Sequence, residues 1–162
     1  MNKLLFAFVG VMLASTFPDT SAQALNQRSW VSNTGTGTAC TRTNPCNDFS
    51  KAQDATNSGG TIHCVSSEDY TFSNVPFMIT KSLTIDCAGT LGIHGGQNIE
   101  VNGAGIVVHL RNLLIDGGTA SSTVSVGVNF INGAALDIEN CTISGWGALQ
   151  QALHFPPLSR RN

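Results

Sequence analysis

Three polar residues follow isoleucine in short segments that read alike, and they are the first candidates for chemistry. The segments are TIHC at 61–64, TIDC at 84–87 and LIDG at 114–117, so the shared position holds His63, Asp86 and Asp116. If the segments stack, the two carboxylates lie close together, and such a pair does not ionise easily without a cation or donor between them. The outward polar column therefore indicates either a Ca²⁺ site or a pair of acid and base groups for hydrolysis.

The alternative for this column is structural, with each carboxylate at a strand end bonding turn amides or water. Calcium takes about 6–8 oxygen ligands, and the sequence supplies no third carboxylate nearby. A lyase also needs a cationic group close to the proton that it abstracts. Arg111 lies too far along the strand from Asp116, at roughly 16 Å for an extended chain, and pairs more simply with Glu139 on the next strand. Catalytic residues therefore stay unknown, and no cofactor is expected unless Ca²⁺ occupies the column.

The cysteines predict disulfides rather than a metal site. Cys64 and Cys87 end two of the similar segments, so stacking these segments brings their Cα atoms to about 4.8 Å, a distance that a disulfide accepts. Cys40 and Cys46 enclose the turn-prone stretch TRTNP and predict a second, local bridge. Cys141 falls at an inward position and is expected to be a buried free thiol. The spacings match no compact zinc pattern, so no metal ligand is assigned.

The segments that must position these residues recur along the chain. TIHC aligns with TIDC at an offset of 23, SLTIDC (82–87) with NLLIDG (112–117) at 30, and NLLIDG with NCTISG (140–145) at 28. A repeat of this length in β-rich sequence indicates stacked parallel strands. Period-two alternation then predicts inward columns of apolar residues. These columns contain Ile62, Ile85, Ile115 and Ile143, and at the preceding alternate position Leu83, Leu113 and Cys141.

A small polar residue precedes the last strand of each repeat. Ser82, Asn112 and Asn140 occupy this position. Asn tolerates left-handed backbone conformations and bonds neighbouring backbone groups, so the three residues predict a structural ladder at a sharp corner.

One helix is predicted before the repeats, over residues 47–60. Asn47 or Asp48 caps its start, Phe49 and two alanines form its apolar face, and Gly59 with the next glycine ends it. The face is narrow, so the helix is expected to lie across other elements.

With the asparagine corner and the aliphatic columns, the chain resembles the right-handed parallel β-helix superfamily, which has the pectin-lyase-like fold. The stretch RSWVS…CTRTNPCNDFSKAQDATNSGGTIHCV is similar to the start of exported, uncharacterised bacterial members, and the resemblance covers residues 28–146. It implies an all-β fold, a right-handed parallel β-helix (solenoid) with a short N-terminal capping helix. An antiparallel sandwich is the alternative. The superfamily contains enzymes, adhesins and capping proteins, so the fold alone does not assign a function.

The N-terminal segment and the composition predict an exported protein. Residues 1–24 have a positive start, an apolar run and a small-residue motif, as in a secretory signal peptide; a buried N-terminal helix is the alternative. A cap segment at 25–60, β-helix coils at 61–155 and a tail at 156–162 follow. The net charge of −2 with 11% charged residues supplies no basic surface for nucleic acid. The sequence has no second apolar segment long enough to span a membrane, so no membrane contact is expected after cleavage of the signal.

These features favour a secreted or periplasmic protein that is not catalytic as it stands, with a carbohydrate-binding or surface-scaffold role. The alternative is a polysaccharide lyase or glycoside hydrolase, truncated before its catalytic part. Trp30 and Trp146 are candidates for stacking on sugar rings if they are exposed, and the alternative is that they cover an edge of the solenoid. The expected partner is a polysaccharide, and the C-terminal edge is expected to pair with further coils or another chain.

Overall fold

The computed structural model describes residues 24–65, 76–93, 98–117, 126–145 and 151–155. The predicted signal peptide, except Ala24, lies outside these residues, as do Trp146 and the tail at 156–162. The described elements in chain order are β1 (Asn26–Val31), α1 (Phe49–Ala55), β2 (Thr56–Cys64), β3 (Phe77–Ile79), β4 (Leu83–Ile93), β5 (Ile99–Asn102), β6 (Val107–Asp116), β7 (Val126–Asn132), β8 (Ala135–Glu139), β9 (Thr142–Ser144) and β10 (Gln151–His154).

The strands form two sheets, and every described strand pair is parallel. The first sheet has the order β1-β2-β4-β6-β8, with β9 also paired to β6, and the second has the order β10-β7-β5-β3. From β2 onward the chain passes repeatedly between the two sheets. Their buried faces contribute to one hydrophobic core, which includes Ile62, Ile85 and Leu110 of the first sheet and Ile79 and Ile99 of the second.

The prediction of a right-handed parallel β-helix is wrong. In the part of the chain that the structure describes, the strands form two separate parallel sheets, and no solenoid or closed helix is seen. The physical reason is that recurring apolar columns require parallel neighbours in register, and two open sheets meet that requirement as well as a closed coil does. The antiparallel alternative is also wrong, since the described pairs are parallel.

The strand register agrees with the repeat alignment at two of its three steps. Ile62 of β2 faces Ile85 of β4, and Ile115 of β6 faces Ile143 of β9, as the offsets of 23 and 28 predict. The step from β4 to β6 is wrong, because Ile85 faces Leu110 instead of Ile115. The single column of four isoleucines is therefore two columns.

A local irregularity in β4 explains the wrong step. Asp86 pairs with Arg111, but the next paired residue, Leu91, faces Leu113, so β4 carries extra residues between its two paired parts. Leu110 and Ile115 are both buried apolar residues that could face Ile85, and the shared letters Ile-Asp selected the wrong one. The consequence for chemistry is direct: Asp86 and Asp116 are not neighbours across strands.

The predicted helix is shorter than the sequence indicates. It covers Phe49–Ala55, and the following TNSGGTIHC is strand β2, so the two glycines lie inside a strand. Asp48 is the N-cap, with its Oδ1 accepting from the Ser50 amide at 2.6 Å. The helix ends early because the Thr56 hydroxyl lies against the Ala52 carbonyl and 2.8 Å from Ser29 Oγ of β1, which holds Thr56 in the sheet.

Two of the three corner residues have the predicted conformation. Asn112 and Asn140 have φ values of 56° and 52°, in the left-handed region, and each lies between two strand segments of the first sheet. Ser82 does not share their position: its Oγ accepts a hydrogen bond from the Val107 amide at 3.0 Å, at the start of β6. The Asn112 amide donates to Asp86 Oδ1 at 2.8 Å, so its recorded partner is a carboxylate on the neighbouring strand.

A disulfide-closed loop covers the outer edge of β1. The loop is defined as residues 40–46 and is closed by Cys40–Cys46. The Ser32 amide donates to the Cys46 carbonyl at 2.8 Å, and the Cys46 amide donates to the Trp30 carbonyl at 3.0 Å. Gly37 packs so closely that a Cβ there would lie 2.0 Å from the Asn44 carbonyl oxygen. The edge of β1 is therefore occupied by the chain itself.

Candidate functional site

Two rows of side chains cross the outer face of the first sheet. Alternate residues of each strand point away from the core, and the register aligns them across β1, β2, β4, β6 and β8. The tryptophan row consists of Trp30, His63, Asp86, Arg111 and Glu139. The threonine row consists of Arg28, Thr61, Thr84, His109 and Asp137. Every one of these side chains is half-buried or exposed.

At the β6–β8 end of the face, each row contains one pair of side chains in close contact. Arg111 Nε lies 2.9 Å from Glu139 Oε2, and His109 Nδ1 lies 3.0 Å from Asp137 Oδ2. Neither nitrogen has a well-aligned hydrogen bond. The Arg111 pair is therefore a charge contact rather than a directed bond, and the His109 pair is one only if the imidazole is protonated. Partly exposed pairs of this kind contribute about 0–1 kcal/mol each. The pairing of Arg111 with Glu139 is the one that the sequence predicts.

At the β1–β2 end the face forms a pocket of about 370 Å³, a volume within the range of roughly 300–1,000 Å³ that is usual for ligand sites. The lining residues that the structure describes come from β1, from the disulfide-closed loop and from the end of β2. They are Arg28, Trp30, Arg42, His63, Cys64 and Val65. The ring centroids of Trp30 and His63 are 5.8 Å apart and the ring planes make an angle of 31°, so the two rings lie side by side and line one part of the pocket.

The register explains how this pocket arises from the sequence. In the segment Arg28-Ser-Trp30-Val, the serine and valine are buried, so the arginine and tryptophan share the outward face. His63 stands beside Trp30 because the two residues are register partners. The Cys40–Cys46 disulfide closes the loop that carries Arg42, and Cys64–Cys87 fixes the end of β2.

The structure divides the predicted polar column. His63 lines the pocket and Asp86 is its cross-strand neighbour, but Asp116 pairs with Ser144 of β9. The Ca²⁺ or hydrolytic pair built on Asp86 and Asp116 therefore loses the geometry on which it depends. Among the described residues, no group of three or more His, Cys, Asp or Glu side chains is arranged to hold a metal ion.

Sequence reasoning assigned no role to Arg28 and Arg42, although both line the pocket. The period-two pattern of Arg28-Ser-Trp30-Val could have placed Arg28 beside the tryptophan. Nothing in the sequence pattern locates Arg42, because its position depends on how the loop folds against the edge of β1.

The predicted disulfides Cys40–Cys46 and Cys64–Cys87 are present, with Cα separations of 4.7 Å in both. Cys141 is a free cysteine but is half-buried rather than fully buried. Desolvation by burial raises the pKa of its thiol above the ordinary value, so this group stays protonated at neutral pH and is a poor nucleophile.

The outer face of the second sheet carries a smaller polar group. Glu100 Oε1 accepts from the side-chain amides of Asn98 and Asn129, at 3.3 and 3.4 Å. This group satisfies the Glu100 carboxylate locally and lies on a different sheet from the pocket.

No protein-family model, curated protein or solved structure matches this chain. The resemblance to the pectin-lyase-like superfamily therefore stays a prediction. Within the described ranges, no helix is long and apolar enough to cross a membrane.

Proposed function

We propose that this protein binds carbohydrate at the Trp30 end of its first sheet and carries out no reaction of its own. The observation that supports this most is the pocket in which the half-buried Trp30 adjoins His63, flanked by arginine side chains. An indole face stacks on the apolar face of a sugar ring, and the surrounding nitrogen donors bond hydroxyl groups.

Binding to a glycan tests this proposal, with Trp30→Ala as the main variant. Loss of a central tryptophan typically weakens binding by about tenfold or more. Phe155→Ala is the matched control, because Phe155 is an exposed aromatic residue that contacts Phe130 of the second sheet. Equal binding by both variants and the parent protein would contradict the assignment of the site to Trp30.

The enzymatic alternative, a polysaccharide lyase or glycoside hydrolase, has less support. Its two candidate carboxylates lie in different register positions, as described above. An assay for uronate-lyase activity with and without Ca²⁺ tests it directly, and turnover that is abolished by Asp86→Asn would replace the binding proposal.

We also infer that the protein is exported, with removal of residues 1–24. Disulfides persist in oxidising compartments, and the two disulfides of this chain agree with that environment. N-terminal sequencing of protein recovered from the periplasm or medium is expected to begin at Leu25.

A surface-scaffold role is the second proposal, and the state of β8 favours it. Leu136 and Ile138 are only half-buried, whereas their counterparts Val108 and Leu110 on β6 are fully buried. Further strands or another chain paired to β8 would cover them. A concentration-dependent increase in mass, abolished by Ile138→Pro, is the expected result.

A further inference from the structure

We propose that the pocket between β1 and β2 selects glycans that carry a negatively charged oxygen group, such as a carboxylate or sulfate, on the sugar ring. This inference rests on the proposed carbohydrate binding and specifies its ligand class. The charged group lies between Arg28 and Arg42, and the ring of the same sugar lies against Trp30.

The charge balance of the pocket supports this ligand. Among the described residues that line it, two of six are arginines and none is acidic. Neither Arg28 nor Arg42 forms an ion pair with a residue in the described part of the chain, in contrast to Arg111, which is neutralised by Glu139. The two guanidinium groups thus provide donors for an oxyanion, which arginine binds in a bidentate geometry.

The form of the pocket adds a requirement for a ring. A free inorganic anion would use the arginines but leave the Trp30 and His63 rings, 5.8 Å apart, without a contact. A charged sugar uses both parts, because its apolar ring face stacks on the indole while its oxyanion reaches the guanidinium groups. His63 adds a further donor, and adds positive charge when it is protonated.

The backbone segments that carry the two arginines are held next to each other. Arg28 lies on β1, whereas Arg42 lies on the disulfide-closed loop that pairs with the same strand. The loop is held to β1 by backbone hydrogen bonds at 2.8 Å from Trp30 to Cys40 and from Ser32 to Cys46. The position of Arg42 thus depends on this loop and not on a flexible chain end.

The experiment compares three sets of oligosaccharides of equal length by calorimetry on the oxidised protein: neutral galactan, polygalacturonate and sulfated galactan. Inorganic sulfate is the fourth probe. We expect the charged sugars to bind at least tenfold more tightly than the neutral one, and binding to weaken as salt is raised. The charged set that binds more tightly shows whether the pocket prefers a carboxylate or a sulfate.

The variants Arg28→Gln and Arg42→Gln are each expected to weaken binding of the charged sugar by about tenfold or more, with little change for the neutral sugar. Lys51→Gln is the matched control, since Lys51 is an exposed cation on α1 outside the pocket. Circular dichroism and thermal unfolding confirm that each variant is folded.

The outcomes separate the two proposals. Equal binding of neutral and charged sugars, unchanged in the arginine variants and lost in Trp30→Ala, would overturn the charge preference and leave carbohydrate binding intact. Binding of no oligosaccharide would overturn both. Binding of sulfate alone, without a gain from the sugar ring, would also overturn both, since the pocket would then be an anion site only.

Discussion

At the scale of single residues, one asparagine combines a left-handed backbone conformation with a side-chain hydrogen bond to a neighbouring strand. Asn112 adopts a φ of 56° and donates from its side chain to Asp86. The conformation could be predicted from the residue type and its place before a strand. The carboxylate partner could not, because it depends on the register between β4 and β6, which the repeat alignment assigned wrongly.

Asn112→Ala is expected to lower the free energy of unfolding by about 1–3 kcal/mol, because alanine is strained at this φ and the bond to Asp86 is lost. Asn140→Ala is the matched control. Asn140 has nearly the same φ but is exposed, so its loss costs the backbone strain alone. Urea unfolding measures both, and equal losses would show that the Asp86 bond contributes nothing.

The thiol of Cys141 gives a prediction about pH. Burial raises its pKa, so the native protein holds this proton at pH values where the unfolded chain releases it. The resulting stability is complete below the pKa of the unfolded chain and is lost as the pH rises towards the native pKa. The rate of alkylation by iodoacetamide, followed by mass spectrometry, should have its midpoint at a higher pH in native protein than in a peptide of residues 138–144.

At the scale of elements, β6 shows how much the period-two pattern determines. It places Ile115 in the core and Leu114 on the outside, and the structure has them fully buried and 38% exposed. The inward or outward direction of these two residues was therefore predictable. The partner of Ile85 was not: the predicted offset from β4 to β6 is 30 and the observed one is 25. This difference of five positions still leaves an apolar residue facing Ile85, because Asn112 interrupts the alternation of β6.

Ile115→Asp is expected to abolish folding, because an unpaired carboxylate cannot be buried without a cost of several kcal/mol. The neighbouring Leu114→Asp should fold normally, with an effect of about 0.5 kcal/mol or less. Circular dichroism and the yield of monomeric protein distinguish the two. A folded Ile115→Asp protein would contradict the assignment of this position to the core.

At the scale of the whole molecule, the two disulfides were predictable and the closure of the fold was not. Cys64 and Cys87 follow from the correct alignment of TIHC with TIDC, and Cys40 and Cys46 from a short turn. Whether the sheets close into a coil depends on how the second sheet packs against the first. The repeats lie within single strands, so they do not indicate this packing. The pocket depends on this same level of organisation, since Arg42 enters it only through the loop that covers β1.

Replacing both Cys64 and Cys87 with alanine is expected to lower stability by about 3 kcal/mol, from the greater freedom of the unfolded chain. The pocket loses its anchor at the end of β2, so ligand binding should weaken as well. Disulfide mapping of the non-reduced parent protein supplies the control, and a bridge that includes Cys141 would contradict the pairing.

The parallel pairing of all described strands also has a consequence for the order of folding. The chain has no hairpin among these pairs, so every strand contact must close a segment of more than twenty residues before it gains any hydrogen bond. Such long-range contacts make the search slow and leave strand edges open for longer. The Cys64–Cys87 bridge closes one of these segments covalently. Oxidised chains thus begin the search with β2 and β4 already tethered, and the first sheet can grow outward from that pair.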